Sequence, residues 1–169
     1  MKKHAAIVLA AATLAGCAGE KVQLNTHFDP ADAAWAAGKG SGSVSGQAFL
    51  RQNGGGIVTC AGNEVDLTPV TPYATERITA FYGDNTSGYR IPMFAPQLPK
   101  GEPGYLTTYR HATCDAQGNF SFTELPAGPY YLTTEVFWTV GSNILPEGGF
   151  LMQRVSVQEG KTQKVVLTH

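Results

Sequence analysis

The sequence predicts an all-β fold, an antiparallel sandwich of about seven short strands with one short helix and one long loop inserted. Two observations lead to this prediction. The 169-residue chain is rich in turn residues, with 20 glycines and 10 prolines, and also in the strand-forming residues Thr, Val and Tyr. Short runs that alternate apolar and polar residues lie between these turns, which is the pattern of half-buried strands.

The first 16 residues predict a signal peptide. A basic head at residues 1–4 precedes an apolar run at residues 5–14, which is far shorter than the roughly 20 residues that span a bilayer. The next residues, Leu14-Ala15-Gly16-Cys17, resemble the lipobox of bacterial lipoproteins. The resemblance implies cleavage before Cys17, a diacylglycerol on its thiol and a further acyl chain, such as palmitate, on its new amine. The alternative is an ordinary signal peptide that contains a cysteine.

Residues 17–42 are predicted to form a lipidated tether, and residues 43–169 the folded domain. Within the tether, Asp29-Pro30 begins a short helix, and Trp35 either docks on the domain or touches the membrane interface. Because two or more acyl chains hold a protein stably, the lipid bilayer is the predicted partner of Cys17. No aspartate follows Cys17, which by resemblance to enterobacterial lipoproteins implies the outer membrane, on its periplasmic or its surface face.

The predicted strands follow one another from residue 44 to residue 168. The longest covers residues 130–140, and its alternation places Tyr131 and Phe137 on the face opposite the presumed core. The last two, residues 150–157 and 163–168, predict a closing hairpin. The other predicted strands cover residues 44–50, 57–60, 64–69, 105–114 and 120–122.

Residues 72–82 predict the inserted helix. Thr71 is a suitable N-cap, Pro72 suits the first turn, and Gly83 ends the run. The loop at residues 84–104 is rich in Gly and Pro but too apolar for a flexible linker. Long loops in compact domains are often functional.

Cys60 and Cys114 remain once Cys17 is acylated. An exported protein lies in an oxidising compartment, where a disulfide between them would close a loop worth about 4 kcal/mol on the chain-entropy estimate. The alternative is two separately buried thiols. The sequence contains no C-x-x-C motif, so a redox or zinc role for these cysteines has little support.

Several segments together resemble a carboxypeptidase regulatory-like domain. They are residues 42–48, 65–69 (Val-Asp-Leu-Thr-Pro), 114–122 (Cys-Asp-Ala-Gln-Gly-Asn-Phe-Ser-Phe), 125–131 (Leu-Pro-Ala-Gly-Pro-Tyr-Tyr), 155–160 and 165–167. That family has a transthyretin-like, or prealbumin-like, Greek-key β-sandwich, so the resemblance implies this fold for residues 42–168. Residues 71–104 depart from the minimal pattern. The resemblance further implies an accessory, adhesive, stalk or sugar-binding role, and it transfers no catalytic residue.

The sequence contains no motif of an enzyme active site. It lacks G-x-S-x-G, H-E-x-x-H and a phosphate-binding P-loop. Glu64 and Asp66 share one strand face, as a glycosidase pair might require, but a solvated face explains them more simply. His111 is predicted to be a strand-edge residue, and Asp115 a turn residue instead of a calcium ligand. We therefore expect no enzymatic activity, no cofactor and no bound metal.

Five aromatic residues around the insertion are the candidate ligand-binding residues: Tyr82, Tyr89, Phe94, Tyr105 and Tyr109. An exposed patch of such rings can stack on sugars or form a protein interface. The alternative, which we favour, is that the helix and the loop bury these rings as a satellite core.

Taken together, these features predict a non-enzymatic, membrane-anchored envelope lipoprotein that acts as a structural or protein-interaction module. The alternative is a glycan-binding module that uses the aromatic residues of the region 82–109. The partner is thus an unidentified envelope protein or a glycan. Nucleic acid is excluded, because 12 Lys+Arg balance 13 Asp+Glu and leave no excess of positive charge for a phosphate backbone.

Overall fold

Two β-sheets packed face to face confirm the predicted all-β sandwich. The computed structural model describes residues 19–141 and 145–169, so the predicted signal peptide and Cys17 lie outside the described residues. The strands in this part of the chain are β1 (Gly42–Arg51), β2 (Ile57–Thr59), β3 (Glu64–Pro69), β4 (Ser87–Arg90), β5 (Arg110–Thr113), β6 (Asn119–Leu125), β7 (Gly128–Trp138), β8 (Glu147–Val157) and β9 (Thr162–Leu167). The helices are α1 (Pro30–Ala33), α2 (Pro72–Tyr82) and α3 (Pro103–Leu106), with 3-10 turns at Ala34–Ala36 and Pro92–Phe94. Among the described residues, no helix has the length and apolar character to cross a membrane.

The first sheet is built around β1, which pairs with β2, β6 and β9, and the second has the order β4-β8-β7-β3-β5. The last strand, β9, runs parallel to β1, with Ser43 opposite Thr162 and Ala48 opposite Leu167. The predicted closing hairpin of residues 150–157 and 163–168 is therefore wrong, because β8 and β9 belong to different sheets. Alternation assigns the faces of a strand but does not specify its partner.

The main core lies between the two sheets. Val44 and Ala48 of β1, Val65 of β3 and Leu132 of β7 are fully buried in it. Cys60 and Cys114 lie in the same core and are joined by a disulfide, with their Cα atoms 5.8 Å apart. Because Cys60 follows β2 and Cys114 follows β5, the bond connects the first sheet to the second.

A second core covers the outer face of the second sheet, where α2 packs. The predicted helix is confirmed: the Thr71 side chain accepts a hydrogen bond from the Ala74 backbone N–H, and Gly83, at φ +83°, ends the helix. Tyr73 and Ile78 of α2 are buried with Tyr131 of β7. The predicted strand 105–114 is wrong in its first half, because residues 103–106 form α3 and β5 begins only at residue 110.

The segment predicted to be a tether lies against the domain. We call residues 19–37 the strap. Its first part hydrogen-bonds to the inserted loop through the Val22 N–H and the Gln97 carbonyl, at 3.0 Å. Further along, the Asn25 and Thr26 backbone N–H groups each donate to the Glu76 carboxylate at 2.8 Å. At its end, Trp35 packs edge-to-face on the Tyr130 ring, with 5.1 Å between centroids, so Trp35 docks on the domain.

Glu76 is expected to contribute to the loss of stability on acidification. Hydrogen bonds from the Thr26 hydroxyl, and then from the Asn25 and Thr26 backbone, lower the pKa of Glu76 from 4.5 to about 2. Because its pKa is lower in the folded protein than in the unfolded chain, the ionised Glu76 carboxylate stabilises the fold at pH values above 4.5. This contribution is lost as the pH falls from 4.5 through about 2. We expect Glu76→Gln to destabilise the protein at neutral pH and to lose its effect towards pH 2, as measured by urea unfolding. An equal effect of Glu76→Gln at both ends of this pH range contradicts the prediction, and Glu159→Gln in an exposed turn is the control.

Candidate functional site

A groove of about 1050 Å³ lies at the end of the sandwich where β7 ends and β8 begins. The strap begins at its edge with Gly19 and Glu20, and the end of β1 contributes Arg51. Three aromatic rings line it, those of Tyr89 in β4, Phe94 in the 3-10 turn and Trp138 at the end of β7. The groove therefore combines flat apolar surfaces with charged side chains.

Two glycines at the start of β8 allow the rings to lie close to the strand. A Cβ on Gly148 would overlap the Trp138 ring and the Val136 carbonyl, and the residue has a φ of +101° that favours glycine. A Cβ on Gly149 would in turn overlap the Tyr89 ring. The pair Gly148-Gly149 is thus a local requirement for the aromatic lining.

Hydrogen bonds fix the orientation of two of the rings. The Tyr89 hydroxyl donates to the Gly148 carbonyl at 3.1 Å, and Trp138 Nε1 donates to Glu147 Oε2 at 3.1 Å. Burial raises the pKa of the Tyr89 phenol above its usual value, so the hydroxyl is protonated and able to donate at neutral pH. The rings are held in place before any ligand arrives, which reduces the entropy that binding must overcome.

The rim of the groove is apolar and exposed. Met93, Phe94 and Leu145 have 64%, 65% and 65% of their surface accessible. Large exposed apolar side chains that cluster at one place are typical of binding surfaces. By contrast, a groove of about 960 Å³ over β1, β5, β6 and β9 has a mixed polar and aliphatic lining, and its phenyl ring, that of Phe120, is buried.

The five aromatic residues singled out in the sequence divide between two places. Tyr89 and Phe94 line the groove. Tyr82, Tyr105 and Tyr109 do not reach it: Tyr82 is the last residue of α2, Tyr105 is buried in the second core, and Tyr82 and Tyr109 pack against that core. Tyr105 is 2% exposed and makes an edge-to-face contact with Tyr109 at 5.1 Å. Burial raises the pKa values of Tyr82, Tyr105 and Tyr109.

The sequence analysis missed Trp138 as a groove residue. Alternation along β7 assigns it to the same face as Leu132 and Val136, and this implies a core position. The ring does pack against the edge of the main core, but it is only half-buried because Trp138 is the last residue of the strand, and its remaining surface lines the groove. The pair Gly148-Gly149, which follows Trp138 across the turn, could have indicated this position. Adjacent glycines in a strand indicate that a bulky side chain lies close to the backbone.

The structure also brings three polar residues of the second sheet together. Asp66 of β3 lies directly opposite His111 of β5, and Oδ1 of Asp66 is 2.7 Å from Nδ1 of His111. Glu64 lies on the same face, with its Oε2 at 4.0 Å from the same nitrogen. Burial raises the pKa of Asp66, and the nearby His111 opposes this shift.

The protein is similar in sequence and structure to a protein of known structure. No protein-family model matches the chain, and no curated protein matches it. The structure is similar to the crystal structure of a Pseudomonas aeruginosa protein described as a "putative carbohydrate binding protein", with 31% identity and a TM-score of 0.71 over 85% of this chain and 99% of that chain. A minor pilin of Streptococcus agalactiae, GBS52, matches with a TM-score of only 0.36 and 14% identity, over 77% of this chain and 44% of the pilin, and supports no argument. At 31% identity over nearly the whole of the Pseudomonas aeruginosa protein, the chain belongs to the same family as that protein.

Proposed function

We propose that this protein is an outer-membrane lipoprotein that binds carbohydrate in the groove. In this proposal a carboxypeptidase regulatory-like sandwich carries the groove, acylated Cys17 anchors it, and it has no enzymatic activity. The observation that carries the proposal is the aromatic lining of the groove, with Tyr89, Phe94 and Trp138 around one concave surface. The relative described as a "putative carbohydrate binding protein" supports it.

The lining has the chemistry that a sugar requires. A pyranose ring offers an apolar face of C–H groups and a rim of hydroxyls. The rings of Phe94 and Trp138 supply flat apolar surfaces for the face. The side chains of Arg51, Asn53 and Glu147, all exposed in the groove, supply donors and acceptors for the hydroxyls.

The charge of the groove narrows the class of sugar. Arg51 contributes one positive charge, and Glu20 and Glu147 contribute two negative ones. The slight negative excess disfavours polyanionic chains, because like charges repel across a partly desolvated contact. We therefore expect neutral hexose- or N-acetylhexosamine-containing glycans to bind in preference to sulfated or uronic acid polymers.

The test is glycan binding by the two tryptophan variants. We expect Trp138→Ala to weaken binding to a neutral glycan identified on an array by about fivefold or more, since a lost stacking contact costs on the order of 1 kcal/mol. Trp35→Ala is the matched control, because Trp35 packs on Tyr130, outside the groove lining, and should leave the affinity within about twofold. Calorimetry on both folded variants provides the measurement. Equal losses in both variants, or no binding to any neutral glycan, would contradict the proposal.

A protein-interaction module is the second candidate, and the apolar rim favours it. Met93, Phe94 and Leu145 are each about two-thirds exposed, and apolar side chains of this size are typical of the centre of a protein interface. Crosslinking in intact cells distinguishes the two candidates. An envelope protein captured by the native chain and lost with Phe94→Ala, in the absence of glycan binding, would support this second function.

A further inference from the structure

We infer that Glu64, Asp66 and His111 form a binding site for a divalent transition-metal ion of the zinc type. The proposal is independent of the groove and of the lipid anchor. Its basis is the juxtaposition of one imidazole and two carboxylates on two neighbouring strands, which no local sequence pattern reveals.

The backbone of the second sheet brings the three side chains together. In the antiparallel pair of β3 and β5, Asp66 lies opposite His111 and Glu64 lies opposite Thr113. Side chains two residues apart on a strand point to the same face, so Glu64 and Asp66 both project from the face opposite Val65. Because Val65 is fully buried in the main core, the three donors are held by a rigid part of the sandwich.

The distances fit a common ion. Nδ1 of His111 lies 2.7 Å from Asp66 Oδ1 and 4.0 Å from Glu64 Oε2, and the potential ligand atoms all lie within 4.8 Å of one another. Donors around a tetrahedral zinc ion lie at about 2.0–2.2 Å from the metal, so small side-chain rotations suffice to place an ion among them.

The charge around the three residues favours a cation. Among the described residues, the ion pairs of Glu64 and Asp66 are both with His111, and neither carboxylate is paired with a lysine or an arginine. In the part of the chain that the structure describes, no permanent positive charge therefore lies within ion-pair distance of either carboxylate, and Arg77, which lines the neighbouring cavity, donates to the Pro99 carbonyl instead. A divalent ion would neutralise both carboxylates at once.

Space for the remaining ligands exists beside the two carboxylates. A cavity of about 540 Å³ under α2 is lined by Glu64 and Asp66 together with Arg77, Tyr82, Tyr109 and Glu135, and His111 lies outside this lining. Three protein ligands and an open position filled by water are typical of accessible zinc sites. The imidazole donor favours zinc, nickel or copper over calcium and magnesium, which prefer oxygen ligands alone.

The test is titration of the tag-free protein with zinc chloride, followed by calorimetry. We expect one zinc ion per chain, and a loss of at least tenfold in affinity with His111→Ala and with Glu64→Gln. Both side chains are at least half exposed, at 50% and 67%, so these variants are expected to fold. His27→Ala is the matched control, because the exposed His27–Glu102 pair offers one imidazole and one carboxylate at 3.2 Å but lacks the second carboxylate of the proposed site.

Three results would overturn the inference: no zinc binding by the native chain, equal binding by His111→Ala, or tighter binding of calcium than of zinc. A second measurement covers the case in which a variant fails to fold. The imidazole resonances of His111 in the native protein should shift on addition of zinc, whereas those of His27 should not. Shifts of His27 alone would equally overturn the site.

Discussion

Replacement of both Cys60 and Cys114 by alanine is expected to lower the free energy of unfolding by about 4 kcal/mol. The disulfide closes a loop of 54 residues, and the chain-entropy relation gives roughly this value for a loop of that length. The bond also joins the end of β2 in the first sheet to the end of β5 in the second. Its loss therefore removes a covalent constraint between the two layers of the sandwich.

Urea unfolding of the chain from Ala18 onwards, which excludes the Cys17 thiol, provides the measurement. The native protein in reducing buffer is the control, because it loses the bond while keeping both sulfur atoms. We expect the reduced protein and the double variant to unfold at similar urea concentrations. A difference of less than about 1 kcal/mol between the oxidised and reduced proteins would show that the bond contributes little to stability.

Replacement of Cys17 by serine is expected to move the protein from the membrane fraction to the soluble fraction. Each buried methylene of an acyl chain contributes about 0.8 kcal/mol, and two or more chains hold a protein stably. Serine offers no thiol for the diacylglycerol. We therefore expect the native chain to resist extraction with high salt and to incorporate labelled fatty acid, and Cys17→Ser to do neither.

Cys114→Ser is the control for this experiment, since it removes a cysteine without touching the predicted lipidation site. It should still incorporate fatty acid. Release of the native chain by salt, or labelling of Cys17→Ser at the native level, would be incompatible with an acyl anchor at this position. Mass spectrometry of the N-terminal peptide distinguishes an acylated Cys17 from an uncleaved precursor.

The elements that the sequence predicts well are those defined by local chemistry. Helix α2 begins and ends where its capping residues indicate, since Thr71 caps it and Gly83 terminates it. Strand β7 is predicted almost to its bounds, because alternation over eleven residues is a strong local signal. Tyr131 was correctly assigned to the face away from the main core, where α2 buries it completely.

The features that the sequence does not predict depend on partners distant in the chain. Nothing in residues 162–167 indicates that β9 pairs with β1 instead of β8, because both pairings bury the same face. Tyr105 has a strand-like neighbourhood, yet Pro103 begins a helical turn there. The contact between Asp66 and His111 spans 45 residues, so it emerges only from the pairing of β3 with β5.

For the candidate groove, the sequence identified two of the three rings. Tyr89 and Phe94 lie close together in the chain, within the loop whose composition marked it as unusual. Trp138 comes from a different strand and joins them only because β8 places Glu147 beside it. Sites assembled from several elements are in general beyond the reach of local pattern analysis.

The strap has a consequence for how the protein would stand on a membrane. Gly19 lines the groove, and only Ala18 separates it from Cys17. Since one residue spans at most about 3.6 Å, an acylated Cys17 would hold the groove within about 10 Å of the lipid headgroups. Strand β8 runs away from that end for eleven residues, or about 35 Å. The domain would then stand upright with its groove turned towards the bilayer, and the proposed glycan ligands would be those displayed at the membrane surface.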